Sequence, residues 1–328
     1  MWVQALFDQD ADLSIIRGRR VGIVGYGNQG RAQALNLRDS GVEHIIVGAR
    51  PDGPSERRAR EDGFAVAGIA EAAAGADVLA LLSPDESQAA TYAADIAPHL
   101  PTGATMVFAH GLAIRFGLIV PRPDLDVVLV APKGPGTALR DDYVAGSGLI
   151  GLLAVAQDAS GSAHATALSY AAAIGCGRAG ILPTSFAEEC EADLFNEQGV
   201  IWGAVPELIL AGYETLVEAG FAPEVAWFEC VSEVKLLADL IAARGIAGMR
   251  EAISNTAEFG AVTGGRRIVT EETRAEMRRI LAEVRSGAFT AALVADAEAG
   301  YPRLKAARTA AAAHPMEQVG ARLRTLKP

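Results

Sequence analysis

The sequence predicts an α/β domain built on a parallel sheet over residues 1–182, followed by an all-helical domain over residues 183–328. Three observations carry this. Short β-branched runs alternate with Ala-rich helical stretches as far as about Leu182. A glycine fingerprint separates the first such run from the first long helical stretch. After Pro183, apolar residues recur at helical spacing and no strand-like run follows.

Taken in order, VGIVGYG (21–27), EHIIVGAR (43–50), ADVLALLS (76–83), ATMVFAHG (104–111), DVVLVAPKG (126–134) and LIGLLAVAQ (149–157) each read as a short strand. Helical segments such as GRAQALNLRDSG lie between several of them. Near-continuous apolar strands alternating with helices indicate a parallel sheet covered on both faces. Beyond residue 183, SFAEECEADLFNEQGVIWGAVPELILAGYETLVEAG, PEVAWFECVSEVKLLADLIAARG and TEETRAEMRRILAEVRSG keep the helical period. Gly220 and Gly245 stand at C-cap positions of these helices. The last stretch of about 20 residues, rich in Ala and Arg, reads as a loose tail.

Composition bounds the function. Half of the 328 residues are hydrophobic, so the chain can bury a large core and wholesale disorder is excluded. A net charge of −11 argues against a broad nucleic-acid or anionic-membrane surface. Small anionic ligands stay open, because a local cluster of donors can override net charge. Cys176, Cys190 and Cys230 are an odd number in a long chain and form no disulfide framework; they read as small buried residues in a reducing compartment. MWVQALFDQDADLSIIRGRR lacks the regions of a signal peptide, and the longest uncharged stretch, 159–177, is too polar for a membrane span. The expectation is a soluble, cytoplasmic protein.

Gly25-Tyr26-Gly27-Asn28-Gln29-Gly30 follows the strand VGIV and opens a helix. In that setting the glycines permit a tight turn and close backbone approach to a pyrophosphate at the helix N-terminus, so the first domain reads as Rossmann-like. The second strand ends at Arg50, which suits a 2′-phosphate and hence NADPH, with Ser55, Arg57 and Arg58 in support. Asp52 would repel that phosphate and keeps NADH open, and Arg57 and Arg58 read equally as a solvated helix face.

Asp193 and Glu197 are four residues apart and share one helix face, as do Glu229 and Glu233. Leu194 and Phe195 sit between the first pair, and Trp227, Phe228 and Val231 surround the second. Carboxylates beside apolar surface are costly unless paired or coordinated. Two pairs of oxygen ligands suit two hard divalent ions. Exposed acids, or ion pairs with Lys235 or Arg250, answer the same spacing. His110 and Lys133 occupy C-terminal ends of strands, where parallel sheets place their ligands. A structural histidine and a surface lysine are the alternatives.

Together these motifs resemble ketol-acid reductoisomerase in its shorter form, with one helical domain. The similarity runs from FDQDADLSIIRGRRVGIVGYGNQG through FAHG, APKGPG and LLAVAQDASGSAHATALSYAAAIGCGRAG to ADLFNEQ, GYETLVEAG, FECVSEVKLLADL and ISNTAEFG, and covers about residues 7–315. The resemblance implies an NADPH-binding Rossmann domain, a knotted helical domain, and pairing of two chains so that each site draws on both. It implies Asp193 and Glu197 as the first metal pair, with Asp193 bridging two Mg²⁺, and Glu229 and Glu233 as the pair from the partner chain. Ser254 matches the serine that contacts the substrate carboxylate. His110 and Lys133 match residues near the metal waters and, with Glu233, form the expected catalytic set. Asp85, Gln88 and Gly136 join Gly25, Tyr26, Gly27, Asn28, Gln29, Gly30, Arg50 and Ser55 as candidate cofactor contacts.

The activity so implied converts a 2-acetohydroxy acid such as 2-acetolactate into a 2,3-dihydroxy acid by alkyl migration and NAD(P)H reduction, in branched-chain amino-acid biosynthesis. A diverged 2-keto acid reductase and a non-catalytic cofactor-binding scaffold are the alternatives. The chain departs from the usual family pattern at several positions. Asn28 replaces Ser, Arg31 replaces His, Asp52-Gly53 replaces Gly-Ser, and Ser232 replaces His. Around the first metal pair, Cys190, Ala192 and Asn196 stand for Thr, Thr and Gly.

Overall fold

A computed structural model describes residues 3–326. The chain divides into a first unit that ends at Cys190 and a second that starts at Glu191. In the first unit, eight strands form one sheet of order β3-β2-β1-β4-β5-β6-β7-β8. They are β1 (Val21–Val24), β2 (Ile45–Gly48), β3 (Ala65–Ala67), β4 (Val78–Leu81), β5 (Thr105–Phe108), β6 (Asp126–Pro132), β7 (Gly151–Gln157) and β8 (Ile181–Pro183). The order reverses between β1 and β4, which pair directly, and a doubly wound sheet binds ligands at the carboxyl ends of its strands there.

Helices cover both faces: α1 (Leu13–Arg17), α2 (Asn28–Asp39), α3 (Pro54–Glu61), α4 (Ile69–Ala74), α5 (Asp85–Thr91), α6 (Leu112–Arg115), α7 (Gly136–Val144) and α8 (Ala163–Ala173). One core layer packs Ile23, Val47, Val128 and Tyr170; the other packs Leu79, Leu81, Met106 and Phe108. Strands buried on both faces explain why their sequences read as continuous apolar runs.

The expected parallel sheet holds with one exception. β6 and β7 are antiparallel, Pro132 lying opposite Gly151, because the chain leaves β6, winds through α7 and returns to the sheet at the same end. β3 and β8, three residues each, were absent from the sequence reading, since so short a run shows no periodicity.

From α9 (Phe186–Gly199) onward every element among the described residues is a helix. The elements are α10 (Ala204–Glu218), α11 (Pro223–Trp227), a π-helical turn over Phe228–Ser232, α12 (Val234–Glu251), α13 (Asn255–Ile268), α14 (Glu271–Ser286), α15 (Ala288–Glu298), α16 (Pro302–Ala313) and α17 (Pro315–Arg324). Gly245, at φ 67°, interrupts α12, so that two helices meet there at a kink. The run Phe186–Glu218 is long and apolar enough, by length and composition only, to pass for a membrane span.

The expected loose tail is a correction. α17 is a capped helix whose N-cap, His314, accepts from the Met316 N–H. Its Met316, Val319 and Leu323 pack with Trp227 and Tyr213, and Arg322 pairs with Glu224. Counting Ala and Arg hid that apolar stripe.

Candidate active site

Backbone geometry builds the first half of the site. Gly25 follows β1 at φ 95°, a left-handed conformation that a side chain strains against. A Cβ at Gly30 would overlap the Gly25 carbonyl, and one at Gly136 would overlap the carbonyl of Asn28. A Cβ at Gly27, the N-cap of α2, would meet nothing within 4 Å. The turn is therefore closed by its own backbone on one side and open at the helix N-terminus, where donors and dipole favour a pyrophosphate.

The side chains around this turn serve different ends. Tyr26 is buried, and its hydroxyl donates to Asp62 Oδ2 at 2.9 Å; burial and that bond push its pKa well up. The Tyr26 side chain is thus engaged by Asp62. Arg31 makes two bonds to the same carboxylate, Nε to Oδ2 at 2.7 Å and Nη2 to Oδ1 at 2.9 Å. Gln29 Nε2 donates to the Gly134 carbonyl at 2.8 Å. Past β2, Arg50 is exposed, and Asp52 holds a left-handed φ of 58°. The Asp52 N–H donates to Glu56 Oε2 at 2.6 Å and its carbonyl accepts from Arg57 Nη1 at 2.6 Å. Arg57 thus braces the turn, and Ser55 sits in the first turn of α3.

His110 follows β5 and Lys133 follows β6. His110 Nδ1 lies 3.1 Å from Asp85 Oδ2, and Gln88 Nε2 donates both to Asp85 Oδ1 at 3.1 Å and to the Ser83 carbonyl at 2.9 Å. In this geometry Asp85 and Gln88 hold the histidine. Burial alone would pull the His110 pKa down; hydrogen bonds with Asp85 and Cys190, and the charges of Asp85 and Glu189, hold it well above its ordinary value. Burial pushes the Cys190 thiol up, against the pull of His110.

Glu189 closes the group. Its side chain is 1% exposed, with Oε1 3.6 Å from Lys133 Nζ. Oε2 accepts from the Gly111 N–H at 2.9 Å. That close approach requires glycine at 111, where a Cβ would lie 3.2 Å from the carboxylate and 2.5 Å from the Phe186 carbonyl. Sequence reasoning missed Glu189. The available signal was its place four residues before Asp193, which puts Glu189, Asp193 and Glu197 on one face of α9.

The remaining acids lie in the second unit. Glu229 stands in the π-helical turn and Glu233 at its end, as the N-cap of α12. π-helical turns recur at functional sites, because the extra residue re-aims the side chains around it. Ser254 is the N-cap of α13, its Oγ accepting from the Ala257 N–H at 3.2 Å, which leaves the hydroxyl proton to donate. Carboxylates such as these four offer the oxygen ligands that hard divalent cations take.

Comparison with known proteins follows the same division. Residues 15–180 match the family model described as acetohydroxy acid isomeroreductase, NADPH-binding domain. Residues 186–328 match that described as ketol-acid reductoisomerase, C-terminal domain. Among solved structures, an NADH-preferring ketol-acid reductoisomerase from an uncultured archean is 44% identical, with a TM-score of 0.95, over 98% of this chain and 99% of that one. A semialdehyde dehydrogenase NAD-binding protein from Cupriavidus necator is 19% identical with a TM-score of 0.57, over 80% of this chain and 99% of that one. A pyrroline-5-carboxylate reductase from Coxiella burnetii is 16% identical with a TM-score of 0.54, over 82% of this chain and 98% of that one. The last two share the fold alone.

Proposed function

The chain belongs to the ketol-acid reductoisomerase family, NAD(P)H-dependent oxidoreductases and isomerases of branched-chain amino-acid biosynthesis, and from that premise we propose a Mg²⁺-dependent enzyme acting on 2-acetohydroxy acids such as 2-acetolactate. The observation that carries the proposal is α9. Its acidic face begins at Glu189, beside Lys133 and His110, and continues one and two turns on with Asp193 and Glu197.

When bound, two Mg²⁺ supply Lewis acidity to the substrate hydroxyl and carbonyl oxygens, and the nicotinamide supplies a hydride. Asp193 and Glu197 hold the ions from one chain, and Glu229 and Glu233 complete the set from a partner chain. Glu233 is the carboxylate that takes a proton during the alkyl shift. His110 is held in place by Asp85 at the end of β5, where its ring can meet the substrate. Lys133 neutralises Glu189 and adds a fixed positive charge near the acids. Ser254 donates to the substrate carboxylate. Residues 25–30 and 136 seat the dinucleotide.

Arg50 and Ser55 favour NADPH. A second reading, NADH, is favoured by Asp52, a carboxylate in the turn after β2 that would repel a 2′-phosphate, and by the NADH preference of the archaeal relative. Exposed apolar residues of the second unit, Trp202 and Phe259 among them, support a homodimer. Three unpaired cysteines, as in a reducing compartment, support a cytoplasmic location.

The test follows cofactor absorbance with purified protein, 2-acetolactate, and NADPH or NADH. Oxidation that needs Mg²⁺ and is lost in Glu233→Gln is the expected result. Turnover only of the pre-isomerised 3-hydroxy-2-keto acid would reduce the protein to a keto-acid reductase.

A further inference from the structure

We infer that Gln33 and Tyr170 are positioning residues: through Gln29 they clasp the glycine-rich turn to the loop that carries Lys133. Both are fully buried, Gln33 in α2 and Tyr170 in α8. Four groups form one line of hydrogen bonds. The Tyr170 hydroxyl donates to Gln33 Oε1 at 2.8 Å, Gln33 Nε2 to Gln29 Oε1 at 3.1 Å, and Gln29 Nε2 to the Gly134 carbonyl at 2.8 Å.

The line has only one workable polarity. Its last member is a backbone carbonyl, which can only accept, so Gln29 must present its NH₂ to Gly134. Gln29 then turns its oxygen towards Gln33, Gln33 turns its own towards Tyr170, and the tyrosine has to be the donor. A reversed amide anywhere in the line would set oxygen against oxygen, and at the buried Gln33–Tyr170 end no water is at hand to relieve it, so each member fixes the next. Tyr170 keeps its proton because burial pushes its pKa far up.

The clasp joins the two loops that bear the site. Gly134 follows Lys133 directly, and Gly136 packs on the carbonyl of Asn28 so closely that no Cβ fits. A core tyrosine thereby sets the spacing between the dinucleotide turn and the catalytic lysine. The positioning role rests on the reading that residues 25–30 hold a nicotinamide dinucleotide. The clasp itself does not.

The test compares wild-type protein with Tyr170→Phe and Gln33→Met, which keep shape and remove the bonds. Ile16→Val, a fully buried site in α1, controls for lost stability. Amide hydrogen exchange of the free chain reads the clasp, and NADPH fluorescence titration reads the cofactor site. Tyr170→Phe and Gln33→Met should speed exchange at 27–30 and 133–136 and weaken NADPH binding about fivefold, the ratio set by one lost neutral hydrogen bond. Ile16→Val should change neither. Tyr170→Phe added to Gln29→Leu should weaken binding no further, since the line is already cut.

Wild-type exchange and affinity in both variants, or additive losses in the double variant, would overturn the proposal. Wild-type protein that binds no dinucleotide would overturn the cofactor reading and with it the positioning role, leaving the exchange difference as the measure of the clasp alone.

Discussion

Asp62 shows how single residues hold this site without touching its chemistry. Its carboxylate takes the Tyr26 hydroxyl and two bonds from Arg31, and its carbonyl takes Arg38 Nη1 at 2.7 Å. The Arg31 hydrogen bond keeps its carboxyl below the ordinary value of 3.8, against the opposing effect of burial. A depressed folded pKa contributes stability that is present above 3.8 and is lost as pH falls through the lower folded value. Arg31 is half exposed, so the contribution is about 1 kcal/mol. Thermal melts should therefore fall more steeply below about pH 4 for wild-type protein than for Asp62→Asn, which has no carboxyl to protonate. Parallel curves would assign Asp62 no role in acid stability. Glu189→Gln should leave the fold intact and cut turnover about 10–100-fold, as the loss of a supporting group around a metal site does. Unchanged turnover would detach Glu189 from the site.

His110 and Lys133 were legible as candidates because parallel sheets place ligands at strand ends. Glu189 was legible only through its place four residues before Asp193, because its partners Gly111 and Lys133 lie far away in the sequence. Tyr26 stood in the glycine motif, yet its side chain faces Asp62, an orientation that no periodicity reports inside a turn.

At the scale of elements, β1 and α2 meet so tightly that one atom decides their geometry. Gly30→Ala sets a methyl carbon against the Gly25 carbonyl, so the turn must open. Dinucleotide affinity should drop at least about tenfold by fluorescence titration, with secondary structure retained by circular dichroism. Wild-type affinity would mean that the turn can relax and is no cradle. α17 makes the complementary case. Leu323→Ala empties a buried position beside Trp227 and should cost about 2–3 kcal/mol in urea unfolding of the helical unit. A change under about 0.5 kcal/mol would return α17 to the loose tail that its composition indicates. Strands of four or more apolar residues were legible because burial on both faces writes itself into sequence. The three-residue β3 and β8 carry too few positions for any pattern, and the return of β7 depends on a connection that local propensity does not encode.

For the whole molecule, the second unit carries large apolar side chains at its surface. Trp202 is 66% exposed and Phe259 72%. Sedimentation should find a dimer, and Phe259→Glu should weaken it, since a charge there must be desolvated on association. A monomeric wild-type chain would contradict the proposal that a partner chain supplies Glu229 and Glu233. The glycine motif and the four spaced acids made the dinucleotide and metal reading accessible from sequence. Which acids belong to which chain is a property of assembly, and spacing along one chain does not contain it.

In the proposed enzyme, Asp193, Glu197, Glu229 and Glu233 jointly bind divalent metal. Titration of the purified protein with Mn²⁺, with the free ion read by electron paramagnetic resonance, tests it most directly. Two ions per site in the wild type, and weaker or fewer ions in both Asp193→Asn and Glu233→Gln, is the expected outcome. Equal Mn²⁺ uptake by all three proteins, or none by the wild type, would contradict it.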